Sequence, residues 1–377
     1  MVFGKKPKSI DLNVGDHFET VFWRNEGAQK EAFPFRATHV GDAKSNKVIL
    51  CGDRSMPLGK PVRVKVNKVK RPQSDGRGFI EVAYQGPVEF QIDPAIWVEK
   101  NIATKLQVLL EGGYSILLDG PQGSGKTVLS RAIADALEMD YIYFNCASVY
   151  EATDFVATLQ VRANADGVAE TIFISTNFRV ALMDAMAKPQ CRYLVFLDEF
   201  NRCRPTARNG LMPALDTTRK IYDPETGDLL DIPGNVQFIA AINNGDQFVG
   251  ASSVDPAQMD RFATLKLDYP PLEAEVDILA GRFPAVDRKT IVIVVTVANK
   301  VRDDDTVGAD LSLRATQEAC AMLGHPLFSD EMKPQEALRE ALATAYCGRF
   351  PGRIEDEGSE AGQIWSLVVK SLNELKA

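Results

Sequence analysis

Two short stretches of this chain have the residue types and spacing that phosphate chemistry needs. The first, Gly120-Pro121-Gln122-Gly123-Ser124-Gly125-Lys126-Thr127, satisfies GxxxxGK[ST] at every fixed position, and Val128 continues from it. Glycines let the backbone curl until successive N–H groups point inward at phosphate oxygens. A helix starting near Lys126 would add its partial positive charge. Lys126 would neutralise the outer phosphates of a triphosphate, and Thr127 would offer its hydroxyl to magnesium. The second stretch, Asp198-Glu199, ends the apolar run Arg192-Tyr-Leu-Val-Phe-Leu197. A strand of that kind delivers both carboxylates to the C-terminal edge of a sheet, where ligands bind in open α/β folds. Asp198 is then placed to hold magnesium, and Glu199 to orient or deprotonate an attacking water. An Asp-Glu pair can also cap a helix. Its position after an apolar strand, downstream of the loop, favours the catalytic role.

The elements that must hold these groups follow from periodicity. Tyr114–Leu118 reads as a buried strand and Lys126–Ala136 as the helix behind the loop. Strand and helix signals then alternate: Tyr141–Phe144, a helix near Arg179–Ala187, Arg192–Leu197, a helix near Thr206–Asp216, Val236–Ile242 and Thr264–Leu267. A helix over Asn101–Leu110, stopped by Gly112-Gly113, precedes them. Apolar strands alternating with amphipathic helices predict a parallel sheet covered on both faces. From Leu272 only helical periodicity remains. Leu159–Ile174 carries an Asp-Gly turn and reads as a hairpin that would interrupt the helix before Asp198. Lys220–Ile232 reads as a second hairpin.

The first hundred residues follow different rules. Residues 1–30 are polar and show no sustained period. Short β-like runs follow at Lys47–Cys51, Pro61–Val69 and Gly78–Tyr84, punctuated by glycine and proline. Most apolar residues of Val62-Arg-Val-Lys-Val-Asn-Lys-Val69 fall on alternate positions, which predicts one buried face. A small barrel, OB-like or TRAM-like, fits this pattern. Residues 1–100 hold 17 Lys and Arg against 12 Asp and Glu, a net of +5, so the remainder of a chain with net charge −8 carries −13. Lys60, Arg63, Lys65, Lys68, Lys70, Arg71 and Arg77 concentrate the positive charge in residues 60–77. Such a stretch could track a nucleic-acid backbone, although only Phe79 and Tyr84 offer nearby stacking.

Composition excludes other classes. No window approaches the ~18 uninterrupted apolar residues of a membrane helix. Lys5, Lys6 and Lys8 precede no apolar core, so a secretory signal is not expected and a cytoplasmic location is. Six cysteines are scattered without a CxxC pair and only His17, His39 and His325 are present, which predicts reduced thiols and no zinc site.

Asp198-Glu-Phe-Asn-Arg202 resembles the signature of MoxR-like AAA+ ATPases. Asp255-Pro-Ala-Gln-Met-Asp-Arg-Phe262, followed by Tyr269-Pro270, resembles a second element of that group, closest to the small ATPase subunit of cobaltochelatase. The two hairpins agree with its helix-2-insert branch, and the likeness covers roughly Ile102 to Met322. The resemblance implies a P-loop NTPase sheet (96–271, with inserts at about 157–175 and 219–233), a helical lid (272–377) and, outside the family, the β-rich domain (1–95). It implies ATP and Mg2+ as cofactors. Asn243, or its neighbour Asn244, would be the sensor of the γ-phosphate, and Arg261 the finger reaching a neighbouring subunit's nucleotide. Arg314 would be the second sensor. It further implies a ring, by preference a hexamer, that remodels a partner protein, as such ATPases do with partners holding a von Willebrand factor A-type domain. A metal-chelatase motor and a nucleic-acid motor, the latter with GTP in place of ATP, are the alternatives.

Overall fold

The computed structural model describes residues 14–15, 17–24, 31–33, 35–37, 47–55, 61–70, 78–87, 92–93, 96–163, 167–189, 191–243, 254–304, 311–329 and 332–375. They fall in two compact units, Met1–Gln91 and Ile92–Ala377.

The first unit is a closed barrel. Its strands are β1 (His17–Arg24), β2 (Phe35–Ala37), β3 (Lys47–Cys51), β4 (Pro61–Lys70) and β5 (Gly78–Pro87), in the order β1-β2-β3-β5-β4. The β3–β5 pairing is parallel and the others antiparallel. Val62, Val64 and Val66 point inward with Ile49, Cys51, Ile80 and Val82. The register shifts between Val66 and Lys68, so that Val69 rather than Lys68 packs against this core. That bulge absorbs the one break in the alternating pattern. β1 lies where the sequence showed no sustained period. Phe18, Val21, Phe22 and Trp23 do not alternate along the sequence, so the period-2 signal is blurred and pairing with β2 and β4 defines the strand.

In the second unit, α1 (Lys100–Glu111) leads to β6 (Ile116–Gly120), α2 (Lys126–Ala136) and β7 (Asp140–Asn145). β8 (Ala157–Ala163) and β9 (Ala169–Ser175) form the first inserted hairpin, with Gly167 in the left-handed region at φ 78°. α3 (Asn177–Ala187), β10 (Tyr193–Asp198) and α4 (Pro205–Leu215) follow. The second hairpin is β11 (Lys220–Tyr222) with β12 (Leu229–Asp231), and β13 (Val236–Asn243), α5 (Pro256–Met259) and β14 (Ala263–Lys266) complete the core. The sheet order is β14-β6-β13-β10-β7, parallel throughout. Leu194–Leu197 are wholly buried, which is why β10 reads as a continuous apolar run rather than an alternation.

Three boundaries depart from expectation. Tyr114 is 60% exposed and the strand starts two residues later, at Ile116. The first hairpin does not split a long helix. Two 3-10 turns, Cys146–Ser148 and Ala152–Phe155, lie between β7 and it, the second closed by a capping box between Glu151 and Asp154. The helices after residue 271 belong to the same compact unit as the sheet. They are α6 (Leu272–Arg282), α7 (Arg288–Arg302), α8 (Leu313–Leu323), α9 (Pro326–Ser329), α10 (Pro334–Leu342) and α11 (Glu360–Glu374), and they gather around a core of their own that includes Ile291, Val294, Ala319, Tyr346 and Ile364. Among the described residues, no helix is long and apolar enough to cross a membrane.

Candidate active site

The phosphate loop runs from the end of β6 into the start of α2. Gly125 caps the helix at φ 89°, a conformation in which a side chain is strained. Gly123 (φ 76°) has a second reason to be glycine, because a Cβ there would lie 2.6 Å from the Ser312 Cβ at the N-cap of α8. The lid is therefore seated directly on the loop. Lys126 is buried, and its ammonium donates to the carbonyls of Gly120 (2.8 Å) and Pro121 (2.7 Å), with Ser124 Oγ at 3.5 Å. The ammonium thus sits inside the curl of the loop, held by its carbonyls. Val128 is exposed on the first turn of α2.

Burial pushes the Lys126 ammonium down to about 8, and the Arg314 guanidinium adds to this, while the carboxylates of Asp198 and Asp119 act in the opposite direction. An unfolded lysine keeps its proton up to about 10.5, so between the two values the unfolded state binds more protons and stability rises with pH. Phosphate oxygens favour the charged form, so binding them works the other way. The dissociation constant of a triphosphate is expected to rise about tenfold per pH unit above pH 8. A titration by fluorescence or calorimetry that stays flat from pH 7 to 9.5 would remove Lys126 from phosphate binding.

Thr127 and Asp198, 71 positions apart, meet at the sheet edge. Thr127 Oγ1 donates to Asp198 Oδ2 at 3.2 Å, and Asp198 Oδ1 accepts the Glu199 N–H at 2.9 Å. One hydroxyl and one carboxylate form the oxygen donor set that magnesium uses when phosphates and water complete its shell. Among the described residues, no group of three or more His, Cys, Asp or Glu gathers as a metal site elsewhere. Tyr143, on the neighbouring strand β7, stands beside the carboxylates. Burial and then the charge of Asp198 push its phenol up to about 12.

Glu199 sits in the left-handed region (φ 53°, ψ 40°), a conformation that costs a non-glycine residue about 1–3 kcal/mol. Its carboxylate meets Arg202 at 3.4 Å. Asn201, between them in sequence, donates to the Asn243 carbonyl at 2.9 Å and ties this turn to the end of β13. Asn243 is level with Gly120 in the β13–β6 register, which puts it at the mouth of the phosphate loop. Asn244 lies outside the described residues.

Arg314, on the exposed side of α8, is close enough to depress Lys126. Arg261 is not brought to the loop. It precedes β14, whose first residue, Ala263, pairs with Ile116 at the opposite end of β6 from Gly120. Four residue steps separate Ile116 from Gly120, about 13 Å at strand rise. The Arg261 guanidinium instead donates to the Ala257 carbonyl; Asp216, at the end of α4, is held below the ordinary carboxylate range by hydrogen bonds from Thr218 and, to a lesser degree, by the charge of Arg261.

Sequence patterns missed the contacts that cross from core to lid. Tyr269 Oη donates to the Gln122 carbonyl at 3.0 Å, and the Arg302 guanidinium lies 4.5 Å over the Tyr269 ring. Tyr269-Pro270 was visible as a pattern, but nothing in the spacing pointed it at Gln122. In the basic stretch, Lys65 and Lys68 are exposed and Lys68 pairs in register with Glu81. Lys60, Arg71 and Arg77 lie outside the described residues, as do the side chains of Arg63 and Lys70. All six cysteines are free thiols.

Residues 115–262 match the family described as AAA domain (dynein-related subfamily). This segment is similar to an AAA domain. It holds the phosphate loop, Asp198, Glu199, Asn243, Arg261 and four strands of the parallel five-stranded sheet, whose arrangement matches a P-loop AAA+ fold. Curated relatives include an uncharacterized protein of Staphylococcus saprophyticus, 27% identical over 171 residues, and one of Staphylococcus aureus, 26% identical over 171 residues. Each match covers 45% of this chain and 62% of the relative's length. Among solved structures, a mutant of Thermotoga maritima RuvB aligns at a TM-score of 0.41 and 16% identity, over 66% of this chain and 70% of that one.

Proposed function

We propose that this chain is an ATPase that works as a ring and uses hydrolysis to remodel or activate a partner protein. The observation that carries the reading is the junction of Lys126, Thr127 and Asp198 at one sheet edge, with Glu199 next in line. Loop amides and Lys126 bind the phosphates, and Thr127 and Asp198 would hold magnesium, which would supply positive charge to offset that of the phosphates. Glu199 takes or orients the proton of the attacking water, for which it must leave Arg202. Asn243, at the loop mouth, is the polar group that senses the γ-phosphate.

The place of Arg261, at the far end of β6 from its own phosphate loop, supports ring assembly, in which it would serve a neighbour's nucleotide. A head-to-tail contact of that kind closes into a ring, which we take to be a hexamer. The MoxR-like signature supports a protein partner, one holding a von Willebrand factor A-type domain being the leading kind. The purified chain is expected to hydrolyse ATP in a magnesium-dependent, saturable manner, followed by phosphate release. Absence of turnover across protein concentrations that permit assembly would overturn the reading.

A further inference from the structure

The two inserted hairpins lie 44 residues apart in sequence, yet one arginine fastens them together. Arg179, in the first turn of α3, sends Nε and one terminal nitrogen to Asp223 Oδ2 at 3.0 and 2.8 Å. The other terminal nitrogen reaches Ser175 Oγ at 3.0 Å and Glu225 Oε2 at 2.9 Å. Ser175 Oγ in turn donates to Glu225 Oε2 at 3.1 Å. Ser175 ends the first hairpin, whereas Asp223 and Glu225 belong to the turn of the second. The Arg179–Asp223 arm of the clamp is well shielded, with side chains 15% and 2% exposed, whereas Glu225 is 39% exposed. Burial alone would raise the Asp223 carboxyl, but the bonds from Arg179 and from the Glu225 N–H outweigh it and hold it below its ordinary value.

The hairpins differ in what else holds them. The second is anchored to the catalytic sheet. The Arg219 guanidinium donates to the carbonyls of Pro233 (2.9 Å) and Val236 (2.8 Å), and Ile232 N–H closes onto the Arg219 carbonyl at 2.7 Å. Val236 begins β13, the strand that ends in Asn243. The first hairpin is almost wholly solvated, with Ala157 its one buried residue among those described. A lone two-stranded ribbon is marginally stable in water, so its orientation depends on whatever grips its base.

We propose that Arg179 is a coupling residue: through Asp223 and Glu225 it makes the first hairpin follow the second, and so follow the sensor strand β13. This rests on the reading of the site as an ATPase, because the signal it carries is the nucleotide state at Asn243 and Glu199. Forked bonds to two carboxylates suit the task, since a planar guanidinium fixes direction where an ammonium would swivel.

Hydrogen exchange on the full chain tests this, with and without a non-hydrolysable ATP analogue and magnesium. Before any nucleotide is added, Arg179→Gln should speed exchange in residues 157–175 by about tenfold, the scale of lost charge-assisted hydrogen bonds. Analogue affinity should stay within about twofold of wild type, because nothing at the phosphate loop changes. In wild type the analogue should alter exchange in 157–175 and 219–233 together. In the variant only 219–233 should respond. Asp223→Asn, made in parallel, should give the same split should Arg179→Gln fold poorly, and Arg179→Lys a weaker version of it. A first hairpin that responds to the analogue in these variants as it does in wild type would overturn the proposal. So would unchanged exchange in 157–175 without nucleotide. Failure of wild type to bind the analogue would instead sink the ATPase reading, with the nucleotide-free comparison still deciding the clamp.

Discussion

Glu199→Gln is expected to bind ATP about as tightly as wild type and to assemble normally, but to hydrolyse it roughly 10²–10⁴-fold more slowly, the range attributed to a positioned general base. The groups that grip the nucleotide are untouched by this change: Lys126 is held by the carbonyls of Gly120 and Pro121, and Asp198 by Thr127 and a backbone N–H. Glutamine has the same shape as glutamate, and its amide oxygen can still meet Arg202. It cannot accept the proton of the attacking water. The left-handed backbone at residue 199 fixes where that side chain starts, and the local strain is tolerated because Asn201 pins the turn to Asn243. Binding of a fluorescent analogue and release of phosphate, measured on the same preparation, separate the two effects. Turnover near the wild-type rate would take Glu199 out of the mechanism. If the expectation holds, the variant halts in its ATP-bound state, which makes it the form with which to capture and identify the partner.

The sequence announced what is local and concealed what depends on approach. Lys126 and Thr127 are legible because loop, glycines and helix start form one contiguous stretch, and Asp198 because a strand buried on both faces is written as an unbroken apolar run. The helix Lys126–Ala136 falls where its pattern places it. β1 was missed because its apolar residues do not alternate along the sequence. The bulge after Val66 was hidden in a pattern that simply looked imperfect. Contacts such as Tyr269 on Gln122, Ser312 on Gly123 and Arg179 on Asp223 join residues 147, 189 and 44 positions apart. Each depends on where separate elements come to rest, and no spacing rule encodes that. The glycine at 123 looked like a phosphate-loop requirement alone. In the fold it also makes room for the lid.

Arg261 carries the other large expectation. Its Ala variant should still bind nucleotide in each subunit and yet lose about 10³-fold or more in turnover, as when a cation that stabilises the transferring phosphoryl is removed. The same loss would follow if Arg261 merely steadied α5 through the Ala257 carbonyl, so a single variant does not decide. Mixing does. Lys126→Ala keeps Arg261 but loses its grip on phosphate, whereas Arg261→Ala keeps the loop but loses the cation. In a head-to-tail ring assembled at random from equal parts, about a quarter of the interfaces join an intact loop to an intact Arg261, so up to about that fraction of wild-type activity should return. Phosphate release from the mixture, set against each variant alone, reads this out. Activity that never exceeds the average of the two inactive parents would mean that Arg261 serves its own subunit, or no site at all. The β14–β6 register argues against the first, since the side chain would have to cross the length of the strand to reach the loop.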